Sequence, residues 1–289
     1  YRKQKRGGVG VVDLDTKEED FITQFVTTST HSDLLFFTDK GKVYQLKMYE
    51  VPEGRRATRG KSIMNYLSLS SEEKVTSILP ITKENKKMKF SLMMVTKDGV
   101  SKKVMAESFH DVRRSGIIAI KLHGNDALIS AMLVEKGDSV ILGTKNGQSI
   151  RFKESDIREM GRAAGGVRAM KFKKSDYVVA SSVVKKDDKN MELLVMSENG
   201  YGKRTSLKEY KIQKRGGSGI KTMKVTPKTG HVITGAVVCG EDAEVVAISK
   251  KSQVIRIDVK EIPSLSRATQ GVRVMRMREG DSIASLICL

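Results

Sequence analysis

Glycine flanked by arginine or lysine recurs along this chain, and that pairing of residue types suits the binding of phosphate. Gln4-Lys-Arg-Gly-Gly-Val-Gly10 returns almost unchanged as Gln213-Lys-Arg-Gly-Gly-Ser-Gly219, and weaker copies close at Gly60, Gly116, Gly166 and Gly271. Glycine lets a loop backbone come close to a phosphate, and an adjacent cation neutralises its charge. The cations placed this way are Lys5 and Arg6; Arg55, Arg56, Arg59 and Lys61; Arg113 and Arg114; Arg162 and Arg168; Lys214 and Arg215; Arg267 and Arg273. With Gln4, Gly7, Gly8 and Gly10 they form a candidate set for gripping a polyanion. Such contacts position a ligand and carry little sequence information. One such loop alone reads as an ordinary solvated turn; the case rests on six in register.

The spacing says what must hold these loops. Closing glycines fall at Gly10, Gly60, Gly116, Gly166, Gly219 and Gly271, separated by 50, 56, 50, 53 and 52 residues. A period of that size marks one supersecondary unit copied and packed radially or in a stack. Between the boxes stand Thr38-Asp-Lys-Gly41, Thr96-Lys-Asp-Gly99, Thr144-Lys-Asn-Gly147, Ser197-Glu-Asn-Gly200 and Ser249-Lys-Lys-Ser252, each between apolar runs. These read as β-hairpin turns, the last with weaker turn chemistry. Four residues past each turn glycine position come Gln45, Lys103, Arg151, Arg204 and Arg256, and Lys203 stands beside Arg204. Lys103, Arg151, Lys203, Arg204 and Arg256 therefore join the candidate polyanion contacts. Nine past the same position come Glu50, Ser108, Asp156, Glu209 and Glu261.

About four strands per unit follow, so the expected fold is all-β, one domain over 1–289. Its units are 1–32 (incomplete), 33–88, 89–136, 137–188, 189–242 and 243–289. Six boxes against five hairpins leave the first unit without its hairpin, which is expected upstream, ending near Tyr1. An opening residue other than Met points to a piece of a longer protein. The apolar end, Ile283–Leu289, is expected to pair beside the first unit.

Composition narrows the partner. Lys and Arg number 53 against 34 Asp and Glu, a net charge of +19, which attracts DNA, RNA or an acidic membrane face. Aromatic content of 5% with no Trp argues against single-stranded nucleic acid, which is held on stacking platforms, and leaves duplex DNA. No apolar run approaches a membrane span. Cys239 and Cys288 sit in apolar strands and read as buried thiols of a reducing cytoplasm. Met64, Met93, Met94, Met170, Met275 and Met277 read as core filler.

Enzymatic signals are weak. Gly54 to Gly60-Lys61-Ser62 imitates a phosphate-binding Walker loop but holds five residues between its glycines where four are needed. His31, His110, His123 and His231 are scattered without ligand spacing, so no metal site is expected. No convergent polar cluster suggests catalysis. A propeller scaffold binding an acidic protein is the rival reading, separable by competition with duplex DNA of random sequence.

The heptad Gln4–Gly10 resembles the gyrase-A box, the glycine-rich basic heptad of the C-terminal domain of the DNA gyrase A protein. Asn199-Gly-Tyr-Gly-Lys-Arg-Thr205, Arg151-Phe-Lys-Glu-Ser155 with Gly161, Gly165-Gly-Val-Arg168 and Ala268-Thr-Gln-Gly-Val272 resemble further stretches of that domain. The family's box usually opens with two arginines and has lysine before its last glycine; Lys5 and Val9 depart from that. The corresponding protein of topoisomerase IV has a related domain whose box is degenerate or absent, so the intact heptad favours gyrase. The resemblance implies a six-bladed β-pinwheel, a propeller-like disc whose rim wraps and bends duplex DNA without catalysing anything itself. It further implies a monomeric domain without cofactor, in the bacterial cytoplasm beside the nucleoid. Its partners would be the N-terminal part of the same gyrase A polypeptide and the gyrase B protein. ATP and Mg would be bound elsewhere in a holoenzyme that introduces negative supercoils.

Overall fold

The computed structural model describes residues 3–12, 22–24, 26–54, 59–173, 175–232, 237–240 and 243–289. Among them the chain forms five four-stranded antiparallel sheets. In each, an inner strand pairs with a hairpin, and a short outer strand completes the far edge. The first sheet runs Val75–Ile81, Asp33–Thr38, Lys42–Lys47, Ile117–Ile118; the second, Leu128–Val134, Ser91–Thr96, Val100–Met105, Val167–Arg168. The third runs Val178–Val184, Ser139–Thr144, Gln148–Lys153, Ile220–Lys221; the fourth, Val237–Cys239, Glu192–Met196, Tyr201–Ser206, Val272–Arg273. The fifth runs Ile283–Cys288, Glu244–Ser249, Gln253–Asp258, Val11–Val12.

The central strands are buried on both faces because each sheet is sandwiched between neighbours, so they read as continuous apolar runs. Leu92 and Met94 pack toward Leu35, Phe37 and Val43 of the first blade, while Met93 and Val95 pack toward Val140, Leu142 and Phe152 of the third. The strand's twofold alternation thus serves two interfaces at once. Met93, Met94, Met170 and Met275 fill these interfaces; Met277 is partly buried and Met64 is exposed. Cys288 is only partly buried. Inner strands of successive blades lie side by side, giving the propeller-like arrangement.

The turn signals hold at all five hairpins. Gly200 has φ +79°, and a Cβ there would stand 2.2 Å from the Met275 carbonyl oxygen. The close approach is what the glycine is for: Val274 and Met275 donate their N–H groups to the Gly200 carbonyl at 2.8 and 3.2 Å. Ser252 holds the same place in the fifth hairpin at φ 59°, and the pairing register is kept.

Three expectations need correction. The sheets number five where six were expected. Each outer strand belongs by sequence to the following unit, so the short strand of the first unit crosses to the last sheet, where Val11 and Val12 pair with Val254 and Gln253. Of the first unit's described residues, Ile22 touches the last inner strand and Gln24 the first. Ser285 Oγ donates to the Ile22 carbonyl and Gln24 Nε2 to the Thr76 carbonyl, both at 3.0 Å, and no hairpin stands there among the described residues. The box closing at Gly60 likewise leads into a single turn, Ile63–Asn65, and not into an outer strand. Finally, the ladder partner of Ile283–Cys288 is Glu244–Ser249 of its own hairpin, and its contact with the first unit is the Ser285 side-chain bond to Ile22.

Candidate nucleic-acid interface

The box loops closing at Gly10, Gly116, Gly166, Gly219 and Gly271 approach the outer edge of a blade, and each closing glycine turns the chain into an outer strand. The two full heptads do this identically. The N–H of Gln4 donates to the Arg256 carbonyl and that of Gln213 to the Arg151 carbonyl, each at 2.8 Å. Gly7 N–H reaches the Val274 carbonyl at 2.7 Å, and Gly216 N–H the Ala169 carbonyl at 2.6 Å. Gly7 and Gly216 share φ +82°, a left-handed turn that glycine adopts without cost. The backbone is therefore tied to the protein through its own amides, and the basic side chains face outward.

Lys5, Arg6, Arg59, Lys61, Arg113, Arg114, Arg162, Arg168, Lys214, Arg215 and Arg273 are all exposed. Arg267 is partly buried, and Gln4, Gly7, Gly8 and Gly10 are half-buried within the first loop. Arg55 and Arg56 lie outside the described residues. The recurrent acidic residues brace these loops: Glu261 accepts from the N–H of Arg6 at 3.0 Å, and Glu209 from that of Arg267 at 3.2 Å. The Arg215 guanidinium is steered by two carbonyls, Asp156 and Arg168, both at 3.0 Å.

The five cations beyond the hairpin turns are placed differently. Lys103 is buried against Glu154 at 2.5 Å. Arg204 is buried on Glu192, with its Nε donating to the Ile262 carbonyl at 2.6 Å. Arg256 Nε donates to Glu244 at 2.5 Å, and the partly buried Arg151 donates to Ser139 at 2.9 Å. Lys203 is fully buried. In contrast to the exposed cations of the box loops, Lys103, Lys203 and Arg204 are buried and Arg151 and Arg256 partly buried, each bonded within the protein. Their partners were visible in the numbering: Glu192 and Arg204, and Glu244 and Arg256, stand twelve residues apart across a hairpin.

Lys203 has a counterpart that the sequence reading missed. Lys102 and Lys203 both stand three residues past a turn glycine and both are 0% exposed. Lys203 Nζ donates to the Ser266 and Arg267 carbonyls at 2.6 Å and to Thr269 Oγ1 at 3.1 Å. Lys102 Nζ donates to the Ala119 carbonyl at 2.7 Å and to that of Arg162. Burial pulls both ammonium groups down to about 8, helped by the nearby charges of Arg162 for Lys102 and Arg267 for Lys203, the latter opposed by Glu209. Each clamps a box loop from beneath. No cluster of metal-binding side chains occurs among the described residues, nor any helix long and apolar enough to cross a membrane.

Fold and loops together define a β-propeller that displays basic, glycine-seated loops on its outer edge. The chain belongs to the family described as the DNA gyrase C-terminal domain, β-propeller, whose model matches residues 1–29, 32–82, 91–135, 138–185, 192–239 and 243–289. The DNA gyrase A protein of Staphylococcus epidermidis is 38% identical over 286 residues, covering 99% of this chain and 32% of the relative. The chain thus spans about a third of the length of the curated relative it matches. A solved DNA gyrase A C-terminal domain superposes with a TM-score of 0.86 at 29% identity, covering 100% of this chain and 93% of the other. The C-terminal domain of DNA topoisomerase IV superposes with a TM-score of 0.80 at 25% identity, covering 96% and 85%.

Proposed function

We propose that this chain is a non-catalytic domain that binds duplex DNA along its basic rim and bends it, as the wrapping part of a DNA gyrase A protein. The observation that carries the reading is the repeated placement of exposed Lys and Arg on amide-tied glycine loops, one blade after another. A curved row of cations grips a duplex only if the duplex bends, at a cost of roughly 1–6 kcal/mol for 20–30 bp, which summed phosphate contacts offset. Both full heptads being intact favours gyrase over topoisomerase IV within the same fold. In the holoenzyme, with the N-terminal part of the same polypeptide and the gyrase B protein, the wrapped segment would be presented for ATP-driven negative supercoiling in the bacterial cytoplasm. ATP and Mg would act elsewhere in that assembly, and this domain would need no cofactor and work as a monomer within it.

The test is a titration of the chain with random-sequence duplex at several salt concentrations, paired with a DNA-bending assay. About ten neutralised phosphates give a slope of log K on log salt near −9. A slope near −2, an unbent duplex, or marked preference for one sequence would overturn the reading. Failure of plain duplex to compete against an acidic protein ligand would support the scaffold alternative.

A further inference from the structure

Five residues past the closing glycine of four consecutive boxes stands a cation: Lys121, Lys171, Lys224 and Arg276. All four are exposed, and none of their side chains has a hydrogen bond or ion pair among the described residues. Their backbones are fixed. Lys121 N–H donates to the Ala164 carbonyl at 3.1 Å, Lys171 to Gly217 at 2.8 Å, Lys224 to Thr269 at 3.0 Å and Arg276 to Gly8 at 3.0 Å.

Every one of these bonds crosses from the outer segment of one blade to the box loop on the next. The box arginines answer in the other direction: Arg215 Nη1 reaches the Arg168 carbonyl at 3.0 Å and Arg267 Nη1 the Lys221 carbonyl at 3.1 Å. Two cationic segments from different repeats are thus tied side by side at each junction, Lys171 with the loop of Lys214 and Arg215, and Arg276 with the loop of Lys5 and Arg6. Bringing like charges together on a rigid backbone is unfavourable unless an anion lies between them. The boxes closing at Gly10 and Gly60 are followed at this spacing by Asp15 and Asn65, so the cation marks four junctions, from the first blade to the fifth.

We infer that the unit of DNA contact is the junction between blades: a composite phosphate site in which the cation five past one box and the basic loop of the next box hold one stretch of duplex backbone. This rests on the DNA-binding reading above and adds a second row of contacts to it. It also explains why the repeats are offset from the sheets, since the outer strand carries each repeat's cation onto its neighbour.

The experiment compares two variants of equal charge. K121Q/K171Q/K224Q/R276Q removes the junction row. K83Q/K87Q/K136Q/K189Q removes four exposed lysines from the opposite strand ends. Salt titration with random-sequence duplex should show the junction variant losing about 3 to 4 from the magnitude of the slope and the control less than 1. K121R/K171R/K224R should retain the wild-type slope. Equal losses in both variants, or an unchanged slope in the junction variant beside a steep wild type, would overturn the composite site while leaving the DNA-binding reading in place. A shallow slope in the wild type itself would overturn both.

Discussion

The ammonium of Lys203 donates to the carbonyl oxygen of Arg267 at 2.6 Å, so a buried cation seats the loop that presents an outer one. The residue at this place in each hairpin differs with the box above it. Ile255 and Ile150 lie under the two full heptads, each with its Cδ1 3.5 Å from where a Cβ on Gly8 or Gly217 would stand. Lys102 and Lys203 lie under degenerate boxes, and Tyr44 lies under the one closing at Gly116. Each full heptad settles its paired glycines onto an isoleucine and is tied through its amides. The boxes closing at Gly166 and Gly271 are instead held by a lysine reaching up to their carbonyls, and the Tyr44 ring packs against Gly116 while its hydroxyl donates to Glu73.

That clamp predicts a pH signature. Lys102 and Lys203 hold their protons only to about pH 8 when folded, against 10.5 ordinarily, so between these values the unfolded chain binds more protons. Stability contributed by these groups therefore rises with pH across that window, as the cost of burying charge is relieved. Tyr44, pushed up to about 12 by burial and by Glu73, acts with the opposite sign only above pH 10, so the measurement stops at about pH 9.5. Denaturant midpoints of the wild type should climb relative to K102M/K203M between pH 7 and about 9.5. Parallel profiles would show that the two ammonium groups do not carry the effect.

Buried and exposed arginines should separate cleanly in mutants. Replacing Arg204 by Gln removes the cation paired with the largely buried Glu192, leaving it the Ser264 hydroxyl, and should cost about 3 kcal/mol of stability. Its effect on the salt slope for duplex should be nil, because the guanidinium never faces a ligand. Lys214 and Arg215, exposed, should behave in reverse. An R204Q variant as stable as wild type, or one with a clearly shallower slope, would reverse this assignment.

Much of this was legible beforehand, for a physical reason. A tight hairpin turn and a glycine at positive φ impose local chemistry, so Gly41, Gly99, Gly147 and Gly200 announced the hairpins and the boxes announced the loops. What two strands do to each other was less legible. Arg204 and Arg256 looked like surface cations because alternation assigns one face of a strand to solvent, whereas a blade covers both. Completion of the fifth sheet by Val11 and Val12 was hidden because two residues carry no strand signal, and their partners Gln253 and Val254 stand at the other end of the chain.

The two full heptads share one geometry, so their loss should differ only by position along the track. In K5A/R6A and K214A/R215A the glycines are left in place, because alanine at Gly7 or Gly216 would be forced to φ +82°. Each pair removes about two phosphate contacts and should shorten the salt slope by roughly 2. The first heptad sits at the last of the four tied junctions, against Val274 and Arg276, whereas the second sits between the second and third blades. Nuclease footprints on a long duplex should therefore retract from one end in K5A/R6A, with bending reduced. In K214A/R215A the ends should stay and a cleavage site should open inside. On the proposed gyrase reading, the first variant placed in the holoenzyme should lose supercoiling while still relaxing DNA. Identical footprints for the two variants would mean that the duplex does not follow the blades in order, and the wrapped path would have to be abandoned.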